Sequence, residues 1–178
     1  MTGKEFFNKI MNGKDDFLQK FIDLLKKNKF SFCVIGGLGV NAYAEPIVSL
    51  DLDVVIVSDK INKLVSLLKK KYKVEDFANS INVSDKKSAL RIQIQKDRRY
   101  QEFIQRAKVQ NMLGYRVPVA LIEDIFMGKM WAYRDDTRRA SKRQKDLADI
   151  LRLIEVKNSL RDLLPGELKS RIAELTKG

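Results

Sequence analysis

The sequence predicts an α/β (α+β) protein: a small mixed sheet with flanking helices, followed by a C-terminal helical lobe. Three observations carry that reading. A short apolar run, Phe30 to Ile35, ends in the pair Gly36 and Gly37 and leads into a short helical stretch that Pro46 stops. A second run, Leu50 to Val57, alternates at first and then turns solidly branched and apolar through Val54, Val55, Ile56 and Val57, as a buried strand does. In the second half of the chain the apolar spacing is mostly helical.

Each element follows in turn. Asp15 to Asn28 sets Phe17, Phe21, Ile22, Leu24 and Leu25 at helical spacing, with acids early and Lys26 and Lys27 late, as the helix dipole prefers; this is a docking helix. Strand one (30–35), the glycine turn and a helix over 38–44 come next, then strand two (50–57). Asp59 caps a helix running to about Lys71, with Ile61, Leu64, Val65, Leu67 and Leu68 on its inner face. Ala89 to Gln95 alternates strictly, Leu90, Ile92 and Ile94 on one side and Arg91, Gln93 and Gln95 on the other, and makes a third strand. A helix from about Arg98 to Ala107, a strand over 115–120 and helices over 122–133, 142–156 and 167–175 complete the chain. With 178 residues and 44% hydrophobic content, one compact unit is expected. Residues 1–120 would form the core with its docking helix, and 121–178 the lobe packed upon it.

Composition narrows the chemistry. Lysine and arginine total 35 against 23 acids, a formal charge of +12, which draws polyanions such as triphosphates or nucleic acid; a lysine-rich solvated surface is the plainer account. One cysteine, Cys33, excludes an internal disulfide, and the charged N-terminal stretch lacks the apolar run of a signal peptide or membrane span, so cytoplasmic residence and no membrane partner are expected. Histidine is absent, which removes imidazole bases and His-ligated zinc. Catalysis must then run on carboxylates, lysine, hydroxyls and metal.

Asp51 and Asp53 stand two apart on a strand, so both carboxylates leave one face and can share a cation; two polar residues at an exposed strand start are the alternative. Gly36 and Gly37 offer backbone amides at a helix start as a phosphate cradle, or form a plain tight turn. Gly37, Gly39 and Ala42 also satisfy a dinucleotide fingerprint, but such a site places one acid about 20 residues on, at the far end of strand two, whereas here two acids precede the apolar run. The short connection instead suggests that strand two starts where strand one ends, so that turn and aspartates face one pocket.

Val34-Ile35-Gly36-Gly37-Leu38 followed by Ser49-Leu50-Asp51-Leu52-Asp53-Val54-Val55 resembles the polymerase-beta-like nucleotidyltransferase superfamily. Gly128-Lys129 through Ala132, Arg138-Arg139 and the run from Lys142 to Ile150 look like the C-terminal signature of small bacterial stand-alone members, including AbiEii-like toxins. The resemblance implies the nucleotidyltransferase fold, a triphosphate held at Gly36 and Gly37, two magnesium (or manganese) ions on Asp51 and Asp53, and transfer of a nucleoside monophosphate to a hydroxyl of RNA such as tRNA, of a protein or of a small molecule. It also raises a toxin–antitoxin pairing with a partner protein. Ser49 supplies the hydroxyl often found before the aspartates, while Ile47 replaces a frequent arginine. A third carboxylate is expected on strand three, where this chain has Arg91, Gln93 and Gln95; Gln93 is the assigned position, and an amide cannot accept a proton. A non-catalytic nucleotide- or nucleic-acid-binding relative is the alternative that this departure opens. Lys129 is read as an ammonium free to reach phosphate, or as solvated surface; Asp146 and Asp149 either pair with nearby cations or complete the metal site; Trp131 and Tyr133 stack a base or join the core.

Overall fold

Branched apolar residues concentrate where strands are hydrogen-bonded on both sides, and the computed structural model, which describes residues 1–11 and 15–175, assembles them into one seven-stranded sheet. The strands are β1 (Phe32–Ile35), β2 (Asp51–Ile56), β3 (Lys73–Asp76), β4 (Ser80–Ser84), β5 (Arg91–Gln95), β6 (Lys108–Met112) and β7 (Tyr115–Val119), in the order β3-β4-β5-β2-β1-β7-β6. Pairing is mostly antiparallel, with β1/β7 and β2/β5 parallel. The helices are α1 (Gly3–Ile10), α2 (Phe17–Lys27), α3 (Gly36–Val40), α4 (Ile61–Leu68), α5 (Gln101–Arg106), α6 (Ile122–Arg134), α7 (Ala140–Val156) and α8 (Gly166–Leu175).

Register gives the centre of the sheet two unlike faces. Leu52, Ile92 and Val83 lie side by side across β2, β5 and β4, as do Val54, Ile94 and Ile81, and all six are buried. Asp51 and Asp53 project to the other face, level with Arg91 and Gln93. α2 contributes Phe17, Leu18, Phe21, Ile22 and Leu25 to the core, as the spacing predicts for a docking helix, while α3 lies against β2 and α6. No helix among the described residues is long and apolar enough to cross a membrane.

Four elements go beyond the apolar pattern. β3 reads Lys-Val-Glu-Asp and β6 Lys-Val-Gln-Asn-Met; both are edge strands, paired on one side only, so neither needs an apolar run. β4 joins β3 in a hairpin inserted between α4 and β5. α1 begins in a capping box, Thr2 Oγ1 accepting from Glu5 N–H and Glu5 Oε2 from Thr2 N–H, a signature that Thr-x-x-Glu carries in sequence. The β6–β7 hairpin turns at Leu113 and Gly114, both at positive φ, the conformation that suits a two-residue hairpin turn.

Candidate active site

The site begins with a register. β1 and β2 run antiparallel with Ile35 opposite Asp53, so the residue following β1 lands on that carboxyl. Gly36 has φ +67, and a Cβ built on it would stand 2.2 Å from Asp53 Oδ2 and 2.8 Å from Asp53 Cβ. Only glycine fits there, and the turn and the aspartate are one packing unit. A Cβ on Gly37 would lie 3.6 Å from Ser49 Oγ, which brings the residue before the aspartates to the same turn. Ser49 Oγ donates to Asp51 C=O at 3.3 Å and accepts from Asp51 N–H at 3.4 Å, shaping the entry to β2.

A cavity of about 960 Å³ opens on this face. Gly36, Gly37, Ser49, Asp51, Asp53, Gln93, Lys129 and Asp146 all line it, so the residues singled out in sequence meet at one place. Their contacts are unequal. Asp51 Oδ1 accepts from Arg91 Nε at 2.9 Å with Nη2 of that guanidinium 2.8 Å away, and Lys142 Nζ lies 3.9 Å from Oδ2. Asp53 Oδ1 accepts from Gln95 Nε2 at 3.1 Å, whereas the amide of Gln93, level with Asp53 in register, donates to Ser80 Oγ at 3.1 Å. Loss of water around the Asp53 carboxyl pushes its pKa above the ordinary carboxylate value, opposed by the Lys129 charge and the Gln95 hydrogen bond.

Lys129 corrects an expectation. Its ammonium is neither free nor solvated: it is buried between Asp146 Oδ1 at 3.0 Å and Asp149 Oδ2 at 2.7 Å. Burial pulls its pKa down, the two carboxylates outweigh that, and the net direction is up. Asp146 is correspondingly saturated, since its other oxygen accepts from Arg138 Nε at 2.7 Å. Of the two roles open to Asp146 and Asp149, pairing with cations is the one observed.

Sequence reasoning left Arg152 aside. It donates through Nη1 to Asp149 at 2.7 Å, and through Nη2 to Asn41 Oδ1 at 3.0 Å and to the carbonyl of Glu45. Asn41 in turn exchanges hydrogen bonds with Ile47 N–H and C=O. The buried charges of α6 and α7 therefore hold the loop that delivers Ser49 and Asp51. Spacing could have pointed to Arg152, which lies three residues after Asp149 on one helix face.

Trp131 faces the cavity, stacked on Phe103 at 5.8 Å and covered by the Arg99 guanidinium at 4.7 Å; Tyr133 is buried beside Arg171 instead. Burial, with the nearby Asp53 charge, pushes the Tyr100 phenol up to about 12, so this cavity-lining hydroxyl is a donor and not a base at neutral pH. Among the described residues no group of three or more carboxylates or thiols is placed to cage a metal, which leaves Asp51 and Asp53 as the adjacent acid pair.

No family profile matches the sequence, and neither does any curated protein. Solved structures do match. The antibiotic-resistance factor ANT(2'')-Ia superposes with a TM-score of 0.62 at 12% identity, covering 89% of this chain and 92% of its own. Lincomycin-bound LnuA, a lincosamide antibiotic adenylyltransferase, gives 0.56 at 13%, covering 80% and 99%. An antigenic nucleotidyltransferase-like protein from Paracoccidioides brasiliensis gives 0.58 at 15%, covering 99% and 89%. This chain has the nucleotidyltransferase fold. At such identities the likeness is one of architecture, and within that fold the glycine turn and Asp51 and Asp53 occupy the cavity wall through local register alone.

Proposed function

We propose that the protein is a metal-dependent nucleotidyltransferase, moving a nucleoside monophosphate from a triphosphate to a hydroxyl. The observation that carries this reading is the contact between Gly36 and Asp53 Oδ2, which puts backbone amides and a carboxylate pair at one end of a cavity sized for a nucleotide. The donor set suits Mg²⁺ or Mn²⁺, which Asp51 and Asp53, two carboxylates on one face, would hold. Asp53 Oδ2 has no protein hydrogen-bond donor among the described residues, which leaves that oxygen open to a cation. A divalent ion bound there supplies charge neutralisation at the α-phosphate.

The chain's own groups do the rest. The Gly36 and Gly37 amides orient the triphosphate, and Arg134 and Lys145 at the cavity wall, free of protein partners among the described residues, draw it in. Gln93 and Gln95 cannot take the acceptor's proton and Tyr100 stays protonated, so that proton goes to water as the bond to the departing pyrophosphate breaks, and the transfer leans on positioning and charge. Lys129 acts at one remove, by fixing α6 on α7 and by favouring the ionised form of Asp53.

ANT(2'')-Ia is described with adenylyl-2''-tobramycin and LnuA with lincomycin, so a small-molecule hydroxyl is one acceptor class. The cationic wall here favours a phosphate-bearing acceptor such as the end of an RNA, with a protein hydroxyl a third class. We place the protein in the cytoplasm, and the stretch from Lys142 to Ile150 supports kinship with AbiEii-like members of toxin–antitoxin pairs. A second reading, a non-catalytic nucleotide or RNA binder, is favoured by the amides on β5.

Incubation with labelled triphosphates, Mg²⁺ and bulk tRNA tests the proposal. Asp51→Asn is expected to lower label transfer by about 100-fold or more. Equal transfer in both proteins would refute the assignment, and Mg²⁺-dependent triphosphate binding without transfer to any acceptor class would favour the second reading.

A further inference from the structure

The two aspartates share a strand face but not an electrostatic state. Asp51 Oδ1 accepts a hydrogen bond from Arg91 Nε at 2.9 Å and has Nη2 of the same guanidinium 2.8 Å away, while among the described residues Asp53 forms no ion pair and accepts only from the neutral amide of Gln95. The parallel register of β2 and β5 is the cause: it sets Arg91 level with Asp51 and Gln93 level with Asp53, so β5 offers the acids one permanent cation and amides, and no carboxylate. Asp146, a further acid in the cavity wall, is already held by the buried Lys129 and by Arg138.

Stability does not explain the Arg91 pair. The Arg91 side chain is 48% exposed and that of Asp51 26%, a setting in which an ion pair adds little to folding. What the pair does change is the charge available to a metal. Two adjacent carboxylates can hold two divalent ions only with further anionic ligands, and a guanidinium on one of them repels a second ion from that side.

We propose that Arg91 is a resident cation of this site, occupying the metal-binding position of Asp51, so that the protein takes up one divalent ion, on the Asp53 side, in place of two. Arg91 then does for Asp51 what a second ion would do, without depending on ion concentration. Its purpose rests on the nucleotidyltransferase reading; the metal count does not.

Mn²⁺ titration of the nucleotide-free protein, followed by electron paramagnetic resonance of the unbound ion, tests this directly. Wild type is expected to bind one Mn²⁺ per chain. Arg91→Ala is expected to bind a second ion, or the first about tenfold more tightly, the equivalent of losing one charge-assisted hydrogen-bonded competitor. Arg91→Lys should stay close to wild type, and Asp51→Asn added to Arg91→Ala should cancel the gain. Two ions in wild type, or an unchanged titration in Arg91→Ala with its circular dichroism intact, overturns the proposal. Adding a non-hydrolysable triphosphate tests the nucleotidyltransferase reading separately: failure of any variant to bind it defeats that reading, while the nucleotide-free titration still decides the role of Arg91.

Discussion

At Gly36 two demands coincide, a backbone at φ +67 and an atom of Asp53 where any side chain would go. Gly36→Ala is therefore expected to cost about 2 kcal/mol of stability and to weaken triphosphate binding at least about tenfold, because strain and steric displacement act on the same carboxyl. Urea unfolding and equilibrium binding measure the two effects. Asp53 carries the opposite kind of cost. Its folded-state pKa is raised, so between the ordinary carboxylate pKa and that raised value the folded protein binds more protons than the unfolded chain. Stability is thus lost as pH rises through that window. Asp53→Asn should raise the metal-free protein's stability above that window while abolishing its metal binding, and the gain should vanish below the ordinary carboxylate range. A lower melting temperature for Asp53→Asn above that window contradicts this account. Both residues were legible in sequence, because a glycine pair after a strand and two acids before an apolar run are local signals.

Helices α6 and α7 are joined through a buried charge cluster in which Lys129 sits between Asp146 and Asp149, with Arg138 and Arg152 outside them. Lys129→Met is expected to destabilise the fold by about 3 kcal/mol, since it leaves two buried carboxylates each short of a partner. The denaturation midpoint should fall with an unchanged denaturant slope. A phosphate-clamping lysine would behave differently, losing activity at full stability. Helical spacing put Asp146 and Asp149 on neighbouring turns of one helix but could not say which way the Lys129 ammonium turns, because that depends on which face of α6 meets α7. The edge strands β3 and β6 escaped for a related reason: one hydrogen-bonded neighbour suffices to hold a polar strand, and no apolar run marks it.

For the molecule as a whole, a charge of +12 acts through the cavity cations that are unpaired or, like Lys142, only loosely paired. With Arg134, Lys142 and Lys145 there, tRNA affinity should fall with salt at a log–log slope of roughly −2 to −3, and Lys145→Glu should reduce that slope by about 1. Fluorescence anisotropy from 50 to 200 mM salt reads it, and a flat dependence would point to a neutral acceptor.

By itself the sequence determined the mixed α/β architecture, the glycine turn, the carboxylate pair and the missing acid on β5, because each is written within a few consecutive residues whose period or conformational demand is local. Only the tertiary structure decided that Lys129 is buried, that Gln95 and not Gln93 donates to Asp53, and that Arg91 pairs with Asp51. Those outcomes follow from the register of β2 on β5 and from the packing of α6 on α7, and neither is encoded at any single position.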